Sequence, residues 1–312
     1  MQQSTMEMQQ LAIDAGPQML SVGTKNVFAA QPYKVGTQEF VGRNQEMRLI
    51  TAAWLADRGS LPMSPLLIGE PGLGKNRLIY ELAYRTGKDL YIFQGHEDVT
   101  AEDLACAVRF SDDANRKMDY VLSPLVTAMI RGGICFIDEI AKIRPRALAL
   151  LVSVLDERRY IDSTLLGERV TAHPGFRFVA ATNTADLEGN AMPEFLRSRM
   201  RPEIRIGYPP QEEINDIVAK RFPRLEEAIG ELLDWFWELW DEKSKHLKST
   251  TPPSPRDVIH VFSLAMSLAD YARLGGNVES NDGVDPLIVG KSAVVVAKPM
   301  LAEAFHELFK TA

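Results

Sequence analysis

Pro65-Leu66-Leu67-Ile68-Gly69-Glu70-Pro71-Gly72-Leu73-Gly74-Lys75-Asn76 is the most informative stretch of the chain. A short apolar run that stops at glycine reads as a buried strand. From Gly69 the residues follow G-x-x-x-x-G-K, and Asn76 stands where that pattern closes on Ser or Thr. Glycines let successive backbone N–H groups curl around phosphate oxygens, and the N-terminus of a following helix adds a favourable dipole. Helix-like spacing from Asn76 to Thr86 supplies that helix, and Lys75 has the reach for β- and γ-phosphates. Glycines and a lysine at fixed offsets are weak evidence alone. The strand before them and the helix after them give the pattern its meaning.

Three more apolar runs, Leu90 to Phe93, Ile134 to Ile137 and Phe176 to Ala181, read as strands separated by helical patterns. That alternation predicts an α/β fold, a parallel sheet with helices on both faces. Ile134-Cys135-Phe136-Ile137 ends in Asp138-Glu139, which places two carboxylates at the sheet edge where such folds bind ligands. Asp138 suits Mg²⁺, directly or through water, and Glu139 suits a general base acting on water. Asn183 follows the last of these runs, where it serves either as a turn residue or as a hydrogen-bond partner of a γ-phosphate. Arg197 and Arg199 are either solvated or offer a guanidinium to a neighbouring subunit's phosphate. The same two readings hold for Arg256.

Beyond Pro209-Pro210 the strand signals fade and four helices are expected, over Gln211–Phe222, Arg224–Leu247, Arg256–Leu274 and Lys298–Phe309. Pro252-Pro253-Ser254-Pro255 divides the second from the third. Gly275 to Gly290 reads as an exposed acidic loop. The predicted organisation is a polar arm or tail over 1–38, an α/β core over 39–209 and a helical domain over 210–312. In the second helix Ile229, Leu232, Leu233, Phe236, Leu239 and Trp240 share a face, flanked by Trp235 and Trp237, which gives a broad buried stripe or an aromatic contact surface. Lys243 to Lys248 is a short basic run suited to a helix C-terminus.

The 312 residues exceed one average domain of about 150. With 46% apolar and 25% charged residues the chain is of ordinary globular composition. No apolar run approaches the ~20 residues of a membrane span. Met1 to Gln10 lacks the basic start and apolar core of a signal peptide. Two cysteines, Cys106 and Cys135, form no disulfide framework, and a cytoplasmic setting is expected. A formal charge of −7 argues against general nucleic-acid affinity, although local basic loops remain available for contact.

Taken in order, these residues resemble the AAA+ ATPases of the MoxR type, nearest the CbbQ/NorQ branch, over roughly 40–268. Val41 and Gly42 sit where the family contacts adenine. Gly69, Glu70, Pro71, Gly72, Leu73, Gly74, Lys75, Asn76 and Arg77 span the Walker A loop and helix start. His96 to Leu104 resembles the branch's entry into its characteristic insertion, and Ser123-Pro124-Leu125-Val126 with Arg131-Gly132-Gly133 precedes Walker B at Asp138-Glu139. Leu151 to Val170 resembles the pre-sensor-1 hairpin, Asn183 falls at sensor 1, Arg199 at the arginine finger with Arg197 as its alternative, and Arg256 at sensor 2. The resemblance implies ATP and Mg²⁺ as ligands, hydrolysis at the subunit interfaces of a homo-oligomeric, six-membered ring, and a helical lid. It also implies a client protein, one class of which carries a von Willebrand factor A domain, with the insertion and the Leu166-Gly167 tip as contact elements. Branch members activate metalloenzymes or Rubisco. Asn76 in place of Ser or Thr, Met200 in place of phenylalanine and Cys106 near a family glycine are departures. Asn76 implies weakened or metal-shifted hydrolysis, and it motivates a second reading as a nucleotide-binding assembly module. A DNA-linked motor is the third.

Overall fold

A computed structural model of the chain describes residues 18–36, 39–55, 60–111, 117–189, 192–225, 227–245, 251–273 and 290–309. The chain gathers into two units, one from Met1–Thr37, Arg43–Glu70 and Lys75–Ile206, the other from Gln38–Gly42, Pro71–Gly74 and Gly207–Ala312.

The first unit begins with strands β1 (Met19–Val22) and β2 (Lys25–Phe28), followed by helix α1 (Asn44–Trp54), β3 (Leu66–Ile68), α2 (Lys75–Thr86) and β4 (Leu90–Gln94). Helix α3 (Ala101–Ala105) starts with a reciprocal cap between Thr100 and Asp103 and runs into the hairpin β5 (Cys106–Phe110) and β6 (Met118–Leu122). Helix α4 (Pro124–Arg131) is bounded by Ser123, which accepts from the Val126 N–H, and by Gly132 at φ 72. That sharp stop leads directly into β7 (Ile134–Asp138), every residue of which is buried. After short helices α5 (Pro145–Leu148) and α6 (Leu151–Leu155), the hairpin β8 (Tyr160–Ser163) and β9 (Glu168–Thr171) leads to β10 (Arg177–Thr182). Helices α7 (Thr184–Gly189) and α8 (Glu194–Arg197) precede β11 (Glu203–Arg205).

Five of these strands form one sheet in the order β11-β3-β10-β7-β4, all parallel. The inner strands β3 and β7 and most of β10 are continuous buried runs because both faces are covered, whereas the edge strand β11 buries only Ile204. The carboxyl ends of β3, β10, β7 and β4 therefore lie in a row.

The sequence reading of 1–38 as a polar arm is corrected where the structure describes it. Gly23 at φ 56 and Thr24 close a two-residue turn, so β1 and β2 pair antiparallel. Strand β2 then meets β6 at Phe28–Val121, giving a second sheet in the order β1-β2-β6-β5. Val22 and Val27 enter the same core cluster as Leu104, Cys106 and Leu122. Four-residue strands present only two core-facing residues each, too few to register as periodicity. Residues 1–17 and 37–38 lie outside the described residues.

A second correction follows from this hairpin. The Lys25 ammonium donates to the Leu166 carbonyl, and Leu166 is 1% exposed within the core cluster. Leu166 itself is thus a packing residue, while Thr164, Leu165 and Gly167 around it at the tip are exposed.

The second unit holds α9 (Gln211–Arg221), α10 (Ile229–Ser244), α11 (Pro255–Arg273) and α12 (Gly290–Leu308). Phe236 on α10 is its centre, with Trp237 edge-on at 5.2 Å and Phe305 at 5.5 Å between ring centroids. Trp237 is buried and its indole N–H donates to Asn215 at 2.8 Å, whereas Trp235 and Trp240 pack half-buried at the margin. The aromatic face is therefore the broad buried stripe of the first sequence reading. The acidic loop at 275–289 and the basic residues after Lys245 lie outside the described residues.

Candidate active site

The row of strand ends assembles side chains that are far apart in sequence. Gly69 leaves β3 beside β10, its N–H donating to the Thr182 carbonyl at 3.3 Å, and a Cβ there would stand 2.4 Å from the Ile206 carbonyl oxygen. Gly72 and Gly74 have φ of 84 and 87, backbone that favours glycine. Lys75 opens α2 and is buried, and its ammonium donates to the carbonyls of Gly69 at 2.6 Å and Glu70 at 3.0 Å and to Asn183 Oδ1 at 2.9 Å. Asn183 in turn donates to Asp186 at 3.1 Å. Leu73 is buried, and Arg77 continues the helix.

One strand over, the Asn76 amide nitrogen donates to Asp138 Oδ2 at 2.7 Å, while Asp138 Oδ1 accepts the Glu139 N–H at 3.0 Å. Glu139 follows β7 in a left-handed conformation, φ 54, uncommon for a residue with a Cβ. That turn carries its carboxylate toward β4, where Gln94 donates to Oε2 at 2.9 Å and Lys142 at 2.8 Å. Chiefly through this hydrogen bond, Glu139 raises Lys142 above its ordinary value. Gly95 keeps the junction tight, since a Cβ would stand 2.5 Å from the Glu139 carbonyl oxygen.

Tyr80, one turn beyond Asn76 on α2, faces Asn76, Asp138 and Tyr33, and burial foremost raises its hydroxyl above the usual tyrosine value. Gln94, Lys142, Asp186 and Tyr80 were not singled out from the sequence. Only the Gln94 position was legible there, as the end of an apolar run whose neighbour strand ends in Asp138.

The remaining candidates sit elsewhere. Arg197 is engaged by both Glu203 oxygens at 2.8 and 3.0 Å. Arg199 donates through Nη1 to the Phe195 carbonyl, and its buried Nε, without a hydrogen-bond partner, lies 4.0 Å from Asp156 Oδ2. In the second unit, Gly42 has φ 74, and a Cβ there would meet the Glu213 carboxylate, so the Val41-Gly42 segment lies against α9. Gly72 lies against the start of α11, where a Cβ would be 2.4 Å from Ser254 Oγ and 3.2 Å from Arg256 Cβ. A Ser254–Asp257 reciprocal cap starts that helix. Cys106 and Cys135 are buried, and burial pushes both thiols up, which suits packing rather than nucleophilic chemistry.

An ammonium beside a glycine loop at a helix N-terminus, with a carboxylate pair at the end of β7 two strands away, is the arrangement that phosphate-binding sites of nucleotide-hydrolysing proteins use. Residues 64–200 match the AAA domain of the dynein-related subfamily. Protein CbbQ of Hydrogenophilus thermoluteolus is 32% identical over 161 residues, covering 51% of this chain and 58% of that protein. Denitrification regulatory protein NirQ of Stutzerimonas stutzeri is 32% identical over 177 residues, covering 56% and 60%. Protein NorQ of Paracoccus denitrificans is 32% identical over 144 residues, covering 46% and 50%. The matched stretch thus spans only 50 to 60% of these relatives. Among solved structures, a point mutant of RuvB from Thermotoga maritima aligns with a TM-score of 0.54 at 16% identity over 87% of this chain and 71% of that one, a likeness of fold. Residues 64–200 thus carry the likeness to the AAA domain, and this stretch is similar to CbbQ, NirQ and NorQ.

Proposed function

We propose that the chain binds ATP with Mg²⁺ at the carboxyl edge of its parallel sheet and hydrolyses it between subunits of a ring, remodelling or activating a partner protein. The linked contacts Lys75–Asn183, Asn76–Asp138 and Glu139–Gln94 carry this reading. The donor set fits the ligands. Lys75 and the loop N–H groups suit phosphate, while Asp138 and the Asn76 carbonyl are hard oxygen donors of the kind Mg²⁺ takes. Among the described residues no group of three or more His, Cys, Asp or Glu side chains is placed to hold a metal by itself. That accords with a cation held by one carboxylate together with phosphate oxygens. When bound, Mg²⁺ neutralises phosphate charge. Lys75 holds the β- and γ-phosphates, and Asn183 shares the γ-end. Glu139 takes a proton from water as the water oxygen bonds to the γ-phosphorus and the bond to the ADP oxygen breaks, leaving ADP and phosphate.

Arg197 is held by both Glu203 oxygens at hydrogen-bond distance, whereas the ion pair of Arg199 with Asp156 is longer at 4.0 Å, so we take Arg199 as the arginine finger toward a neighbouring subunit. Arg256 serves as the sensor of the helical lid, and Val41 and Gly42 as the adenine contact. We take the ring to be hexameric and its setting cytoplasmic; among the described residues no helix is long and apolar enough to cross a membrane. A client with a von Willebrand factor A domain is the partner class this reading favours.

Phosphate release with Mg²⁺ or Mn²⁺ tests the proposal. Glu139→Gln is expected to lower turnover at least about 100-fold, as loss of a general base does, while ATP binding persists. Asn76→Thr is expected to raise turnover or shift the metal preference toward Mg²⁺. ATP binding without turnover in the wild type and in Asn76→Thr, with or without partner, would favour the assembly-module reading.

A further inference from the structure

The first turn of α9 carries a carboxylate that its own helix cannot use. Pro210 stands at the cap, so Glu213 is the third helical residue, the position from which a glutamate ordinarily reaches back to the N–H of the capping residue. Proline has no N–H to offer. Lys220, seven residues on and on the same face, pairs with Glu39. Among the described residues Glu213 takes no hydrogen bond and forms no ion pair. Its Oε1 is buried without a partner, while Oε2 keeps contact with solvent.

The carboxylate is seated instead on the α-carbon of Gly42, at φ 74, where any Cβ would overlap it. Glu39–Lys220 and Gly42–Glu213 together lay 39–42 along α9, inside the compact unit that also contains 71–74 of the phosphate loop. In that unit Gly72 meets the start of α11 at Ser254 and Arg256. Ile214 and Val218 of α9 share a core with Val258 and Phe262 of α11, and Phe222 stacks on Phe262 at 5.9 Å. Packed helices lie about 8–10 Å apart. The unpartnered carboxylate and the contact of the phosphate loop are thus on neighbouring helices, a separation that the sugar of a nucleotide spans.

We infer that Glu213 is the base-reading residue of the nucleotide site: its open oxygen accepts a hydrogen from the exocyclic amine of adenine held at Val41-Gly42. This rests on the adenine placement proposed above. One open oxygen suits a single N–H donor. Inosine and guanine, in the same pose, present a carbonyl oxygen where adenine has its amine, and a carbonyl oxygen against a carboxylate has no hydrogen to share. A carboxylate with both oxygens open would take the two N–H groups on the edge of guanine, and the burial of Oε1 closes that mode.

The test is displacement of mant-ADP from the full chain in Mg²⁺ by ATP, by purine riboside triphosphate, which lacks the amine, and by ITP and GTP. Wild type, Glu213→Gln and Glu213→Ala are compared, with Glu212→Gln as control, since Glu212 is in the same turn and exposed. Wild type is expected to bind ATP roughly 10- to 100-fold more tightly than purine riboside triphosphate, the worth of one hydrogen bond to a charged acceptor. Glu213→Ala should erase most of that ratio and leave purine riboside triphosphate binding as before. Glu213→Gln, of the same size, can turn its NH₂ outward, so it should gain roughly 3- to 10-fold for ITP while losing affinity for ATP. A carboxylate with only a helix-end role would weaken all four nucleotides alike, and that result overturns the inference. So does an unchanged ratio in Glu213→Ala, or a wild type that prefers GTP or binds ATP no better than purine riboside triphosphate; each leaves the nucleotide site standing. A wild type that binds no mant-ADP overturns the nucleotide reading and this inference with it.

Discussion

At the carboxyl edge of the five-stranded sheet, Lys75 donates to the Gly69 and Glu70 carbonyls and also reaches the side chain of Asn183 on a neighbouring strand end, while Asn76 reaches Asp138. At the amino edge, Lys88 donates to the carbonyls of Gly132 at 3.0 Å and Gly175 at 2.8 Å, and Arg177 to those of Pro174 and Phe176, both at 2.9 Å. Arg159 adds a bond to the Phe176 carbonyl. Among the described residues no carboxylate pairs with these three cations, and burial foremost lowers all three, with Arg177 adding its charge against Lys88 and Arg159. The difference is one of exchangeability. Carbonyls of a closed turn are fixed acceptors that fasten loops together, whereas the side chains of Asn183 and Asp138, on the function proposed above, can trade their partners for a ligand. One sheet thus has an edge built for holding and an edge built for exchange.

Lys75→Met should show the largest effect. We expect at least about 100-fold weaker ATP binding, the scale of losing a preorganised charged donor to phosphate, together with a loss of about 1–2 kcal/mol in urea unfolding because the Gly69 and Glu70 carbonyls lose their donor. An equal loss in Lys88→Met would break the distinction. For Lys88→Met we expect unchanged ATP affinity and a loss of about 1–2 kcal/mol in urea unfolding, because the Gly132 and Gly175 carbonyls lose their donor. The smallest effect is in acid. Arg197 holds Glu203 below its ordinary 4.5, and Arg158 holds Asp156 below its ordinary 3.8. Their contributions are full above those values and disappear as pH falls through the lowered ones. The urea midpoint should therefore fall between about pH 5 and pH 2, and less steeply in Glu203→Gln, an amino-edge variant whose ATP affinity should not change.

Most of the exchange edge was legible in the sequence because phosphate chemistry constrains residue types at fixed spacing. Gly69 to Lys75, Asp138-Glu139 and Asn183 announce themselves by composition and by the apolar strands before them. Tyr80 and Gln94 do not, since a half-buried tyrosine on a helix and a glutamine at a strand end have many ordinary uses. Only the register Gln94–Asp138 and the helical turn from Asn76 bring them to the site. The second sheet was missed for a different reason: its strands are four or five residues long and join 18–36 to 106–122 through a single parallel pair. Strand β11, with three residues, gave as little signal.

Strand order also has a temporal side. Strand β10 lies between β3 and β7, yet it is made after both during synthesis from the amino end. Until it inserts, β3 has no hydrogen-bonded neighbour on that side, and the β7–β4 pair stands apart from the phosphate loop. Contacts of such long sequence separation form slowly. A ribosome-bound chain ending before Arg177 thus holds the glycine loop and the Asp138-Glu139 pair without the strand that joins their two halves of the sheet.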